Sequence, residues 1–529
     1  MEEAIPKKPV PSNGSSNVRV NVVINLIRTL TLTILSFITF PYVCRILGDS
    51  TLGLYTWVNT FVYYFLILAK ISIPNIAIRE CVKVRDDKKA FSHKVQEFFL
   101  LQAFMTILSF GLMVSIMAAV PAFNDQTYMQ LGFLLSINFL AGVFSFEWVY
   151  IALEKHFYIA VRSIATLALS AILTFVYVTR QGDYSDKDTQ RVLFVYASIT
   201  ILSTILTSLI NCLVLPKYVS FKKEGPYDFR SMLKPLIVLF FISFALTLYN
   251  ETDVLLLGFL DSTKAAVGTY SVGVKGIDII ITIITSLYAV FMPRASFYYQ
   301  KDDKQYFKNL IRYSMNITFF IAIPAIATMT TMAKPITALI SGNYVNNQYQ
   351  DAYLVLIILS IMMLTYSIGD NIYTEILLPS KRETIYLYTM LIGVVLNVGL
   401  SLLFALVIMP AHQTLGVAIA TGVTDVLILI FLIYETREYS LKAIFNLNNL
   451  KIVLFGGAIA LITYFLAPYL LSYLPWKDAE IWKSYVLELV IMVAGDAIIY
   501  IGGLAIAREK LVSSFSAKHR KEMEEKNNG

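Results

Sequence analysis

Along the chain, apolar runs of about 20 residues alternate with short polar segments punctuated by Pro, Gly and Asn, the length an α-helix needs to cross a hydrocarbon layer of about 30 Å. Fourteen such runs can be marked, at 20–43, 51–73, 97–120, 128–150, 158–179, 192–215, 235–258, 265–292, 313–333, 353–378, 384–409, 414–434, 452–473 and 484–507. The pattern predicts an all-α membrane protein of 14 transmembrane helices. Lys and Arg test the count, because cytoplasmic loops are enriched in them. One alternate set of connecting segments and tails holds 32 of the 43, with Arg162 near the start of the fifth run counted beside Lys155 of the connection before it, and the opposite set holds 8. The other three, Arg28, Lys70 and Lys275, lie inside runs. A wrong helix count would scramble this alternation, so both termini are expected to be cytoplasmic.

Composition agrees with the pattern. Of the 529 residues, 57% are hydrophobic and only 15% charged, with a mean hydropathy of +0.66. An ordinary soluble protein holds roughly a quarter charged residues. The three cysteines (Cys44, Cys81, Cys212) are far apart, and the four histidines (His93, His156, His412, His519) fall in loops, a tail or helix ends. Neither set forms a metal site or a disulfide framework. Residues 1–17 are polar and Pro/Ser-rich, without the apolar core of a signal peptide, and are expected to be a disordered cytosolic tail. Residues 508–529 read as a charged cytosolic tail, with an inner-leaflet contact as the alternative.

Two stretches repeat. RILGDSTLGLYTW (45–57) follows the first run and LGFLDSTKAAVGTYSVG (257–273) the seventh, each placing Asp-Ser-Thr at a turn and then a Gly and a Tyr in the next helix. The runs that follow end in IPNIAIRE (73–80) and FMPRAS (291–296), a Pro and then an Arg in both. A duplication follows: an N-terminal bundle over 18–216, a cytoplasmic linker over 217–234, a C-terminal bundle over 235–434 and a terminal helix pair over 451–507. The longest outer connections, 180–191 and 475–483, are too short for an external catalytic domain, and no Gly-rich phosphate loop is present. An enzyme, a membrane glycan polymerase being the nearest case, is therefore not expected.

At this point the chain resembles the Wzx-type polysaccharide transporter (repeat-unit flippase) family of the MATE-like MOP superfamily. FPYVCRILGDSTLGLYTW (40–57), ISIPNIAIRECVKVRDDKKAFS (71–92), EWVYIALEKHFYIAVRSI (147–164), NETDVLLLGFLDSTKAAVGTYSVGVKGID (250–278), NIYTEILLPSKRETIYLY (371–388) with Asn397, and LGVAIATGVTD (415–425) resemble family segments in order. Ser72 and Ala152 stand where a Gly is usual, and Ile151 where a Gln is. The resemblance implies two helical bundles facing a central cavity. It implies alternating access and transfer of an undecaprenyl-pyrophosphate-linked oligosaccharide between leaflets for capsule, exopolysaccharide or teichoic-type polymers, in company with the polymerase and glycosyltransferases of the same pathway. Nucleic acid is not an expected partner. A MATE-like cation-coupled multidrug exporter and a lipid II flippase are the rival readings.

Carrying a diphosphate through a membrane calls for cations, Lys as a flexible point charge and Arg as a bidentate donor. Arg28 stands about eight residues into the first run, roughly 12 Å deep, and Lys275 about ten residues into the eighth, roughly 15 Å. As charges inside lipid-spanning segments they are the first substrate-binding candidates. Lys275 also has a rival reading, an ion pair with Asp278 at i+3, with Glu251 and Asp253 as other partners. Lys70 is a further candidate or snorkels to the interface, and Arg45 is a mouth contact or a helix-end residue. Glu147, Glu251, Asp253 and Asp278 are the ion-coupling candidates, for Na⁺ or H⁺. No other cofactor is expected. Asp370, Glu375, Asp425, Glu488 and Asp496 belong to the same group of embedded carboxylates. The 33 Tyr and 34 Phe suit sugar stacking, yet interfacial belts account for most aromatics in such chains.

Overall fold

A computed structural model describes residues 16–179, 186–222, 225–342, 348–474, 481–509 and 511–512. Most of both expected tails, and parts of the two long outer connections, lie outside the described residues. Among the described residues the regular elements are all helical. In chain order they are α1 (Ser16–Lys70), α2 (Ile73–Lys83), α3 (Lys88–Ala119), α4 (Gln126–Val143), α5 (Glu147–Ala152), α6 (His156–Tyr177), α7 (Asp186–Val214), α8 (Arg230–Leu260) and α9 (Ala265–Gln300). They continue with α10 (Lys304–Thr331), α11 (Ala333–Ser341), α12 (Ala352–Ile372), α13 (Glu383–Leu403), α14 (Gln413–Glu435), α15 (Arg437–Ile444), α16 (Leu447–Tyr473) and α17 (Ile481–Ile506).

Among the described residues, thirteen of the helical stretches are long and apolar enough to cross a membrane, where the sequence leads to fourteen runs. The difference sits at the start. One stretch, Val23–Lys83, is 61 residues long and takes in all but the first three residues of the expected run 20–43 and the whole of 51–73. Its helical geometry is interrupted at Gly48, with φ 76° and ψ 174°, a conformation open to a residue without a Cβ. Helix resumes directly on either side, so Asp49 and Ser50 between the two runs stay within the helical stretch instead of forming a loop. Elsewhere ordinary signals set the ends: the Asp87 carboxylate accepts from the amides of Lys89 and Ala90 to start α3, and Asp125 does the same for Thr127 and Tyr128 at α4.

The helices carry their polarity inside out. On α3, Ser92, Glu97, Gln102, Thr106 and Ser109 are buried while Phe104, Ile107 and Leu108 are exposed. On α17, Ser484, Glu488, Asp496 and Tyr500 share a four-residue spacing and are buried, whereas Ile498 is 74% exposed. Such a surface is costly in water and matched to lipid. Where lipid supplies no hydrophobic drive between helices, polar contacts hold them together: Gln102 donates to the Gly142 carbonyl at 3.0 Å and Ser109 to that of Phe65 at 2.6 Å.

The chain divides into two compact units, one from the described residues of Ser12–Ser271 with Met390–Leu402, the other from those of Val272–Thr389 and Leu403–Gly529. The division falls after Ser271 rather than at the 217–234 linker, because α8 packs along α1. In the first unit the two repeated motifs meet. A Cβ on Gly53 would collide with the Lys264 carbonyl, and one on Gly268 with that of Asp49, so each motif's Gly lets the other's backbone approach. The indole of Trp57 donates to the Leu255 carbonyl at 3.1 Å, and the Lys264 ammonium lies 4.8 Å from the Trp57 ring centre. In the turn between α8 and α9, burial works to raise the Asp261 carboxyl. Bonds from the amides of Ala266 and Thr263 and from the Thr263 hydroxyl, with the Lys264 charge, outweigh it and hold Asp261 below the usual carboxylate value.

Candidate functional site

The densest charge cluster of the first unit begins with a break in the chain. After α4 the backbone turns through Phe146 at φ 43°, and Glu147 opens the short helix α5. Its carboxylate is thereby placed between α1 and α6. Arg28 of α1 donates from Nη1 to Glu147 Oε1 at 3.0 Å, and Arg162 of α6 from Nη2 to Glu147 Oε2 at 3.1 Å. Arg162 also donates to Asn211 Oδ1 on α7, which the Tyr158 hydroxyl reaches at 3.0 Å. The Asn211 amide in turn donates to the Ser145 carbonyl, and the Tyr150 hydroxyl to the Asn211 carbonyl at 2.5 Å. Four helices and the α4–α5 turn thus converge on two guanidiniums and one carboxylate.

Exposure grades the three charges. The Arg162 side chain is 2% exposed, Arg28 22% and Glu147 35%. Arg162 is the fixed element and Glu147 the accessible one. Both guanidiniums keep a buried Nε–H for which the described residues supply no acceptor. The cluster therefore has more donors than acceptors, a state that favours an anion rich in oxygen.

The sequence singles out Arg28 and Glu147 separately, one for substrate and the other for a coupling ion; the structure makes them partners. Arg162 was missed. Grouped with the loop residues ahead of the fifth run, it is buried seven residues into α6, so that count of loop charges is corrected by one. A signal was available: Arg162, Thr166, Ser170 and Thr174 form a polar stripe at four-residue spacing, all buried.

The remaining candidates lie outside this hydrogen-bonded cluster, with Lys70 within electrostatic reach of Glu147. In the first unit, Lys70 is exposed in the last turn of α1 and Arg45 is exposed on the same helix. Glu251 accepts from the Thr60 hydroxyl at 3.3 Å and Asp253 from that of Tyr270 at 2.5 Å. In the second unit, Lys275 and Asp278 of α9 form an ion pair at 3.6 Å, the rival reading of the lysine. Glu375 is fully buried and accepts from Ser314 at 2.5 Å and Asn371 at 3.2 Å. Asp496 accepts from Thr463 at 2.7 Å and Thr328 at 3.1 Å, tying α17 to α16 and α10. No group of three or more His, Cys, Asp or Glu positioned for a metal occurs among the described residues.

Both the fold and the sequence have relatives. The lipid II flippase MurJ, in an inward closed conformation, superposes with a TM-score of 0.64 at 16% identity, covering 93% of this chain and 99% of that one. An inward-facing multidrug resistance MATE transporter of the MOP superfamily gives 0.61 at 14%, covering 79% and 98%. The class is thus a multi-pass membrane protein with the MOP-superfamily transporter fold. The family model for polysaccharide biosynthesis proteins matches residues 18–299, more than half of the sequence, and the chain belongs to that family. The MatE model matches residues 239–403. An Escherichia coli (strain K12) protein provisionally named an O-antigen transporter is 20% identical over 240 residues, which is 45% of this chain and 55% of that protein. The match thus spans about half the length of that relative. These relatives are named as transporters and flippases rather than enzymes, in line with the expectation from the loops.

Proposed function

We propose that the protein is a flippase that carries polyprenyl-diphosphate-linked oligosaccharide repeat units from the inner to the outer leaflet, by alternating access, for a cell-surface polysaccharide. The observation that carries the reading is the pair of guanidiniums, Arg28 and Arg162, gathered among apolar helices with donors to spare. Cations in such surroundings pair or serve a pathway, and a diphosphate is the anion whose oxygens match them. The family match and the O-antigen transporter relative support a glycan-bearing substrate. An exporter of cationic drugs would be served by an acidic cluster, and the spare hydrogen bonds here are donors.

In this reading both termini face the cytosol, with Lys275 as a second contact for the head group. Na⁺ or H⁺ exchanging at Asp253, Asp278 or Glu251 drives the cycle. The test is complementation in cells lacking their own repeat-unit flippase, scored by surface polymer and by the amount of protein in the membrane. Arg28→Ala is expected to lower polymer at least about tenfold at normal membrane abundance. Undiminished polymer from that variant would sink the proposal. Collapsing the Na⁺ and pH gradients separately then identifies the coupling ion.

A further inference from the structure

We infer that Glu147 is a built-in stand-in for the substrate's anion: its carboxylate holds Arg28 and Arg162 ready until a diphosphate displaces it. The inference rests on the reading above, that the ligand is a diphosphate lipid, and it adds Arg162 as a direct ligand and Glu147 as the group the ligand must evict.

The argument begins with acceptors. A carboxylate has two oxygens, and here each goes to a different guanidinium, Oε1 to Arg28 and Oε2 to Arg162. Neither arginine obtains the two parallel bonds that a guanidinium makes with an oxyanion at its best. In both, the Nε–H left over is buried and without an acceptor among the described residues. An esterified diphosphate carries two non-bridging oxygens on each phosphorus, enough to offer every guanidinium a second acceptor. In the same seat a diphosphate makes the better ligand.

The second line is mobility. Arg162 is 2% exposed and tethered through Asn211 to Tyr158 and the Ser145 carbonyl, so its fork stays in place when Glu147 leaves. Glu147 is the most exposed of the three, and because Trp148, Val149, Tyr150 and Ala152 of the same short helix are buried, it is the Glu147 side chain rather than its backbone that is placed to swing away. A carboxylate whose sole task was structural would be expected to saturate its partners, and this one does not. Having it there also spares the cell two uncompensated cations in the membrane whenever no substrate is bound.

The test uses the full-length protein in phosphatidylcholine nanodiscs, titrated with farnesyl diphosphate as the probe. Glu147→Gln keeps the shape and removes the competing charge, and is expected to bind about tenfold more tightly than wild type. Arg162→Lys and Arg28→Lys, which cannot offer a bidentate fork, are expected to bind about tenfold more weakly. If the arginine variants weaken binding while Glu147→Gln binds as wild type or worse, the stand-in role is overturned and the diphosphate reading survives. If wild type and variants all fail to bind the probe, that reading falls and takes the inference with it. Should Glu147→Gln fold poorly by thermal unfolding, Glu147→Asp, which withdraws the charge by one methylene, serves instead. It is expected to bind a few-fold more tightly, and unchanged affinity would equally overturn the inference.

Discussion

Two regions of the molecule place a cation against a carboxylate on apolar helices, and they are built differently. Lys275 and Asp278 are three residues apart on one helix, 3.6 Å from nitrogen to oxygen, with the Asp278 side chain 42% exposed. Arg28, Glu147 and Arg162 come from three helices, with 119 residues between the first two, and the central Arg162 is buried. A local pair forms as soon as its helix forms and asks nothing of the fold, so its strength is that of a neighbour contact. The distant cluster exists only when α1, α5, α6 and α7 are in place. One site is local to a single helix; the other couples charge to the packing of a whole unit.

The largest effect that separates them is on stability. Arg162→Ala removes a buried cation and leaves Asn211 and Glu147 short of a donor, a loss expected at about 3 kcal/mol or more. Lys275→Ala removes one member of a local pair whose side chains are 19% and 42% exposed and should cost about 1 kcal/mol or less. Thermal unfolding of the two purified variants in one detergent measures both. Similar losses would mean that the contrast in burial has no energetic content.

Transport should not follow that contrast. Lys275→Ala is expected to insert and fold yet lose most polymer export, with Lys275→Arg partly tolerated. Export by the Lys275/Asp278 double alanine variant sharpens the comparison: recovery would show that the lysine's whole task is to neutralise its neighbour. Normal export by the single alanine variant would remove Lys275 from the pathway altogether.

What could be read from sequence divides along the same line. Arg28, Lys275, Asp278 and Glu147 stand out as charges interrupting apolar runs, and the i, i+3 pair follows from helix geometry alone. The apolar runs themselves are the membrane helices, because in lipid the backbone satisfies its hydrogen bonds within each segment. The partner of Glu147 was hidden for two reasons. Its distance in sequence carries no local signature, and Arg162 stands close enough to a polar connection to pass for a loop residue. The Thr166, Ser170 and Thr174 stripe on its helix face was the clue, since a helix facing only lipid has no use for it. Gly48 was opaque for another reason: a single residue at positive φ redirects α1, and the Asp49 and Ser50 beside it read as a turn rather than as continued helix. The packing of Gly53 on the Lys264 turn depends on two segments of equal motif meeting, which the repeat hinted at without specifying.

A double-mutant cycle on Arg28 and Glu147 gives the next smaller effect. With the Arg28 and Glu147 side chains 22% and 35% exposed, screening limits their coupling to about 1 kcal/mol. The cycle reads chemical unfolding of the two single alanine variants, the double and the wild type. Repeating it in the Arg162→Lys background asks whether Glu147 is shared: if the carboxylate is divided between two guanidiniums, weakening one should strengthen its coupling to the other. An unchanged value would mean that the two contacts are independent.

The smallest expected value belongs to the same cycle on Lys275 and Asp278. Neighbouring charges at i, i+3 on a helix contribute about 0.2–0.5 kcal/mol, and at 3.6 Å this pair lacks the short contact of a charge-assisted hydrogen bond. Because the measured quantity is close to zero, it tests the comparison most severely. A coupling as large as that of Arg28 and Glu147 would place Lys275 and Asp278 in a medium as unlike water as the one around that pair. The local pair would then be coupled as strongly as the distant one, and the contrast between the two regions would rest on the burial of Arg162 alone.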